Sequence, residues 1–183
     1  SFENRRFAIY FRPQDETNMK LYNYLSRKIE DFKPIGKTVS LYTCGPTVYD
    51  FVHIGNWRTF VFEDILKRVL VFNAYDVKHV MNLTDIDDKI IKKSYVQKLG
   101  IEEFTNKYAD AFFADLAKLN IVPAGVYPRA TDKKYMQKMI DLISKLLDGG
   151  VAYKGDDGVY FSVEKFKDYG KLSGLDRRDL KKG

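Results

Sequence analysis

From Thr38 to Thr43 the chain alternates, placing Val39, Leu41 and Thr43 on one side of an extended, β-rich segment, and this predicts a strand. After a loop containing Gly45 and Pro46 the period changes. Trp57, Phe60, Val61, Ile65, Leu66 and Val69 recur at helical spacing, and Asn73-Ala74-Tyr75-Asp76 ends the run. Val77 to Leu83 then predicts a second strand. Strand, helix and strand in this order make a βαβ unit, which implies parallel strands and a right-handed crossover.

Thr84-Asp85-Ile86-Asp87 places a hydroxyl three residues before a carboxylate, a capping-box-like start for a helix reaching about Leu99 and closed by Gly100. Two more amphipathic helices follow. One carries Phe104, Tyr108, Phe112, Leu116 and Leu119; the other carries Met136, Ile140, Ile143 and Leu147 and ends at Gly149-Gly150. Between them, Ala124 to Tyr127 is read as a third parallel strand. Val151-Ala152-Tyr153 and Val159 to Val163, joined through Lys154-Gly155-Asp156-Asp157-Gly158, predict a β-hairpin. The pattern is an α/β start with an appended α+β segment. Residues 1–18 read as an extension, because Met19-Lys20-Leu21-Tyr22 looks like an ordinary beginning.

Composition narrows the class. With 45% hydrophobic and 31% charged residues in 183, the chain can bury one core or one core and a small lobe, and it is not disordered in character. No apolar run is long enough to cross a bilayer. Arg5, Arg6 and Arg12 are interleaved with Glu3, Asp15 and Glu16, unlike a targeting presequence. A net charge of +6 suits a polyanionic partner only weakly. The lysine groups Lys89, Lys92, Lys93 and Lys133, Lys134, and the cluster Arg177, Arg178, Lys181, Lys182, are read as solvated faces. Cys44 is the single cysteine, which excludes an intrachain disulfide and fits a reducing, cytoplasmic setting.

The chemistry gathers in the loop from Cys44 to Asn56, past the carboxyl end of the first strand, where open α/β sheets bind ligands. Gly55 permits close backbone approach, and a helix N-terminus offers unpaired N–H groups to a phosphate. His53 and Asn56 stand around one turn and can aim donors at the same phosphate.

His53-Ile54-Gly55-Asn56 resembles the HIGH motif of class I aminoacyl-tRNA synthetases, with Asn56 in the place of the last histidine. Leu41 to Asp50, Asn82-Leu83-Thr84-Asp85-Ile86-Asp87-Asp88-Lys89-Ile90-Ile91, Pro128-Arg129-Ala130-Thr131 and Gly158-Val159-Tyr160-Phe161 resemble the cysteinyl-tRNA synthetase family in particular. The resemblance runs from about Met19 to the end. It implies the first half of a Rossmann-like parallel-sheet nucleotide-binding domain over residues 19–130. Residues 131–183 would then be the start of a connective insertion.

The resemblance further implies activation of cysteine with MgATP and transfer of cysteine to tRNA(Cys). Under it, His53, Gly55 and Asn56 bind ATP, with His53 and Asn56 stabilising charge at the α-phosphate. Gly45, Thr47 and Thr84 line the cysteine pocket, and Cys44 ligates a zinc ion whose other ligands lie outside this chain. The family also uses a KMSKS loop, which does not occur in these residues, so half of a split and by itself inactive site is expected. Two other readings stand beside this one. A related cysteine ligase of thiol biosynthesis joins cysteine to an amino sugar, but it usually departs from Thr47-Val48-Tyr49-Asp50 and Asp87-Asp88-Lys89. A non-catalytic nucleotide- or RNA-binding module is the third.

Overall fold

The computed structural model describes residues 19–174; the 1–18 extension and the cluster from Arg177 to Lys182 lie outside the described residues. Along the chain come β1 (Lys20–Asn23), β2 (Lys28–Asp31), β3 (Thr38–Thr43), α1 (Ile54–Phe72), β4 (Asp76–Met81), α2 (Asp88–Gln97), α3 (Ile101–Lys118), α4 (Lys133–Asp148), β5 (Ala152–Lys154) and β6 (Val159–Phe161), and then one 3₁₀ turn, Val163–Lys165. They group into two compact units.

The first unit holds the described residues 33–131. β3 and β4 pair in parallel from Thr38 opposite Asp76 to Thr43 opposite Met81, with α1 as the crossover. The ladder runs on past both strands, since Thr47 bridges Thr84 in parallel. On the far side of β4, Val126 bridges Val80 and Arg129 bridges Leu83, both in parallel. Met81 N–H donates to the Val126 carbonyl at 3.1 Å and Leu83 N–H to that of Pro128 at 3.0 Å. The third parallel line expected at 124–127 is therefore present, as isolated bridges that reach Arg129.

The core forms where α1, α2 and α3 bury their apolar sides. On α3 the spacing i, i+4, i+8, i+12 puts Phe104, Tyr108, Phe112 and Leu116 on one buried face, with Ala109 beside them. Trp57 of α1 stacks on Phe112 at 5.4 Å between ring centres, and Phe60 meets Phe112 edge-on at 5.3 Å. Such offset and edge contacts add specificity to the burial of large rings. Below the loop, Val48, Met81, Leu83 and Ile90 close the same core.

Helix ends depart from expectation. α1 begins at Ile54 rather than Trp57, because His53 acts as N-cap and its Nδ1 accepts from Gly55 N–H at 3.0 Å. α2 is capped by Asp87, not Thr84: the Asp87 carboxylate accepts from Lys89 N–H at 2.8 Å, a stronger cap than a hydroxyl. Lys98 in the left-handed conformation closes α2, and Gly100 instead caps the start of α3.

The second unit holds Met19–Phe32 and the described residues 132–174. It contains an antiparallel hairpin, β1 with β2, that the sequence pattern did not announce. This grouping differs from the sequence division, which kept residues 19–32 with the nucleotide-binding half. β5 and β6 form the expected hairpin, Ala152 opposite Phe161. α4 occupies its expected residues and ends at Gly149, with Gly150 at φ +67°. None of its residues is buried.

Candidate nucleotide and amino-acid site

The loop leaving β3 is held by backbone and by one amide side chain. Thr84 N–H donates to the Pro46 carbonyl at 3.0 Å, and Val48 N–H donates to the Thr84 carbonyl at 3.0 Å. Asn82 Oδ1 accepts from Tyr42 Oη at 2.9 Å and from Gly45 N–H at 3.3 Å, while Asn82 Nδ2 donates to Thr84 Oγ1 at 3.1 Å. Gly45 is required by contact: a Cβ there would lie 1.9 Å from the Asn82 carbonyl oxygen.

This frame opens a cavity of about 400 Å³ lined by the run from Cys44 to Thr47, by Tyr49, Asp50 and Val52, by Asn56, Thr59 and Phe60 of α1, and by Lys89 of α2. Of the expected site residues, Cys44, Gly45, Thr47 and Asn56 stand together on its wall. His53, Gly55 and Thr84 do not line it. Gly55 lines a separate cleft between the start of α1 and the end of α3, and Thr84 serves the loop through its hydrogen bonds. Lys89, Thr59, Tyr49 and Asp50 are additions. Asn82 is a further one, lying within a quoted motif but with no chemistry that marked its side chain as the tie.

His53 has its ring committed on one side. With Nδ1 accepting from Gly55 N–H, a neutral imidazole carries its proton on Nε2, the side free to donate. Asp50 is held below the usual carboxylate range by Lys93, 2.8 Å away, and by Phe51 N–H. Asp85, Asp87 and Asp88 form no metal cluster. Asp85 is buried and accepts from Ala130 N–H at 3.0 Å and from the Thr131 hydroxyl.

Donors for a zinc ion are scattered. Cys44 is exposed and free. His79 is buried against Thr43, with Nε2 2.9 Å from Thr43 Oγ1, and His53 is an N-cap. Among the described residues no three His, Cys, Asp or Glu side chains come together as a metal site. One thiolate does not make a tetrahedral zinc site, so these residues do not fit zinc by themselves. No helix among the described residues is long and apolar enough to cross a membrane.

A parallel sheet crossed over by α1, with the Cys44–Asn56 loop past the strand ends, defines a Rossmann-like α/β protein, and solved structures agree on the fold. Two structures of Mycobacterium tuberculosis methionyl-tRNA synthetase with methionyl-adenylate superpose with TM-scores of 0.56 and 0.59, each at 18% identity; they cover 62% and 64% of this chain and 23% of theirs. The chain belongs to the tRNA synthetases class I (C) catalytic domain family, whose model matches residues 31–183. Cysteine–tRNA ligases of Chlamydia caviae, Chlamydia pneumoniae and Protochlamydia amoebophila are 53%, 54% and 48% identical over 92%, 87% and 90% of this chain. The chain spans about a third of their length, 36%, 34% and 34%.

Proposed function

We propose that this chain takes part in the ATP-dependent activation of cysteine and its transfer to tRNA(Cys). The observation that carries the reading is the joining of Cys44, Gly45, Thr47 and Asn56 around one cavity at the carboxyl end of a parallel strand, in a chain of this family. The cysteine–tRNA ligase relatives favour it over the thiol-biosynthesis ligase and over a binding module.

In this reading the cysteine carboxylate attacks the α-phosphorus of MgATP, and the α–β bridging bond breaks to release pyrophosphate. A terminal ribose hydroxyl of tRNA then attacks the adenylate carbonyl and AMP leaves. The chain supplies preorganised donors rather than a nucleophile: His53 Nε2–H and the Asn56 side-chain amide towards phosphate oxygens, with Gly55 permitting close approach while its own N–H is held by His53 Nδ1. Asn56 keeps a donor where the family motif has histidine. Gly45 and Thr47 wall the amino acid, and Thr84 sets that wall through Asn82. Cys44 would serve as one zinc ligand, together with co-ligands from outside the described residues. A cytoplasmic location belongs to the same reading.

The test is cysteine-dependent ATP–pyrophosphate exchange with the full-length protein, together with its zinc content. Exchange is expected with cysteine and not with serine, and Cys44→Ala is expected to lose both zinc and exchange. Exchange supported equally by serine, or zinc retained in Cys44→Ala, would overturn the respective assignment.

A further inference from the structure

The loop that walls the cavity has an outer edge made of aromatic rings and ammonium groups. Lys89 Nζ lies 5.2 Å and Lys93 Nζ 4.7 Å from the centre of the Tyr49 ring. Two residues on, Phe51 is 60% exposed, with Lys107 Nζ of α3 6.0 Å from its ring centre. Phe51 is steadied edge-on by Tyr108 at 5.2 Å, and Lys107 also lies 5.2 Å from the Tyr108 ring.

One carboxylate, Asp50, sits among these ammonium groups and feels the charge of Lys107 as well as Lys93. Asp50 pairs with Lys93 at 2.8 Å, whereas Lys89 and Lys107 make no salt bridge among the described residues. A lysine over an exposed ring gains only about 0.5–1 kcal/mol, so such contacts alone do little for the fold. A large apolar ring exposed by more than half, flanked by unpaired cations, matches what an unpaired nucleotide chain needs. Bases stack on the ring and phosphates meet the ammonium groups. Lys89 and Tyr49 also line the cavity that holds Cys44 and Asn56, so the edge is continuous with that site.

We propose that Phe51, Lys107 and Lys89 form a docking ledge for single-stranded RNA, with one base stacked on Phe51 and the adjoining phosphates on Lys107 and Lys89. This deepens the proposed function and rests on it: the strand is then the unpaired 3′ end of tRNA, passing over the ledge to the cavity. Phe51 and Lys107 do not line that cavity and have no part in adenylate formation.

The test uses the full-length protein and a fluorescently labelled unpaired RNA hexamer, read by anisotropy across a salt series. Phe51→Ala and Phe51→Leu are each expected to weaken binding about 5- to 100-fold, because leucine restores apolar bulk without a stacking face, while Phe51→Tyr restores it. Lys107→Ala is expected to reduce the slope of log K against log salt by about 0.7. RNA affinity unchanged in Phe51→Ala, or restored by Phe51→Leu, would overturn the ledge. A hexaglutamate peptide that binds with the same dependence on Phe51 would do so too, assigning the edge to acidic protein. ATP–pyrophosphate exchange needs no RNA, so its absence in the wild type defeats the broader reading and leaves the RNA measurement to judge the ledge separately.

Discussion

Gly45 and Asn82 are in closer contact than any side chain at position 45 would allow. The Asn82 carbonyl oxygen stands 1.9 Å from where a Cβ would be placed, and Met81 Cγ stands 2.9 Å away. The first neighbour is backbone of the segment that carries the ladder to Thr84, so it cannot rotate aside. The two loops walling the cavity therefore touch through a missing side chain and through the Gly45 N–H to Asn82 Oδ1 bond.

Gly45→Ala is accordingly expected to push the β3 loop away from 81–84. Overpacking of this kind costs about 1–3 kcal/mol, seen as a lower urea midpoint. Exchange activity should fall further than stability alone explains, since Cys44 and Thr47 move with the loop. An unchanged midpoint would show that the contact relaxes without cost.

His53 combines two tasks that substitutions can separate. Nδ1 caps α1 through Gly55 N–H, while Nε2 is the proposed phosphate donor. His53→Ala should lose about 0.5–2 kcal/mol of stability from the lost cap. It should also lose about 10²–10³-fold in exchange rate from the lost donor. His53→Ser should restore the melting temperature, because serine caps well, and leave the rate low, because its hydroxyl is too short to reach the phosphate. Recovery of both together would mean that the histidine is a cap and nothing more.

Asp85 ties the end of β4 to the segment after Pro128 from a buried position. Asp85→Asn keeps one oxygen for Ala130 N–H but presents NH₂ to the Thr131 hydroxyl, which must turn from donor to acceptor. The expected cost is about 1 kcal/mol in chemical denaturation. Its zinc content and exchange activity per folded molecule should match the wild type, because Asp85 belongs to the frame. A selective loss of activity at full stability would contradict that role.

The parallel unit was legible because its signals are periodic. β3 occupies the expected residues 38–43, and the α3 residues Phe104, Tyr108, Phe112 and Leu116 share one buried face. Helix starts were not. Whether Thr84 or Asp87 caps α2 depends on competition for the Thr84 hydroxyl, which accepts from the Asn82 amide two residues earlier. The β1–β2 hairpin left no alternation to read, since Tyr22 and Ile29 remain exposed at 51% and 69%. Of the proposed site, the family motif supplied Cys44, Gly45, Thr47 and Asn56, while Lys89 and Asn82 emerge only when α2 and β4 are placed beside the loop.

Below that loop, Thr43 stands between two unusual groups. His79 is buried, with Nδ1 lacking a hydrogen-bond partner, and Glu63 has one carboxylate oxygen buried and unpartnered. Burial, helped by the Lys67 charge and opposed by Asp64, lowers the His79 pKa. Burial raises that of Glu63, opposed by a bond from Thr43. The two act oppositely on stability. As pH falls below about 6.5, the unfolded histidine takes up a proton that folded His79 resists, so this residue makes the fold less stable towards acid. Folded Glu63 gains its proton at a higher pH than the unfolded residue, so on the descent towards the ordinary value of 4.5 it makes the fold more stable. Urea midpoints measured from pH 7.5 to about pH 4 should therefore decline less in His79→Gln than in the wild type, and more in Glu63→Gln. At pH 7.5 Glu63→Gln should itself be at least as stable as the wild type, because it removes a carboxylate whose charge is disfavoured by burial. If both variants track the wild-type slope, neither group changes its protonation on folding, and the pair is only a packed polar contact.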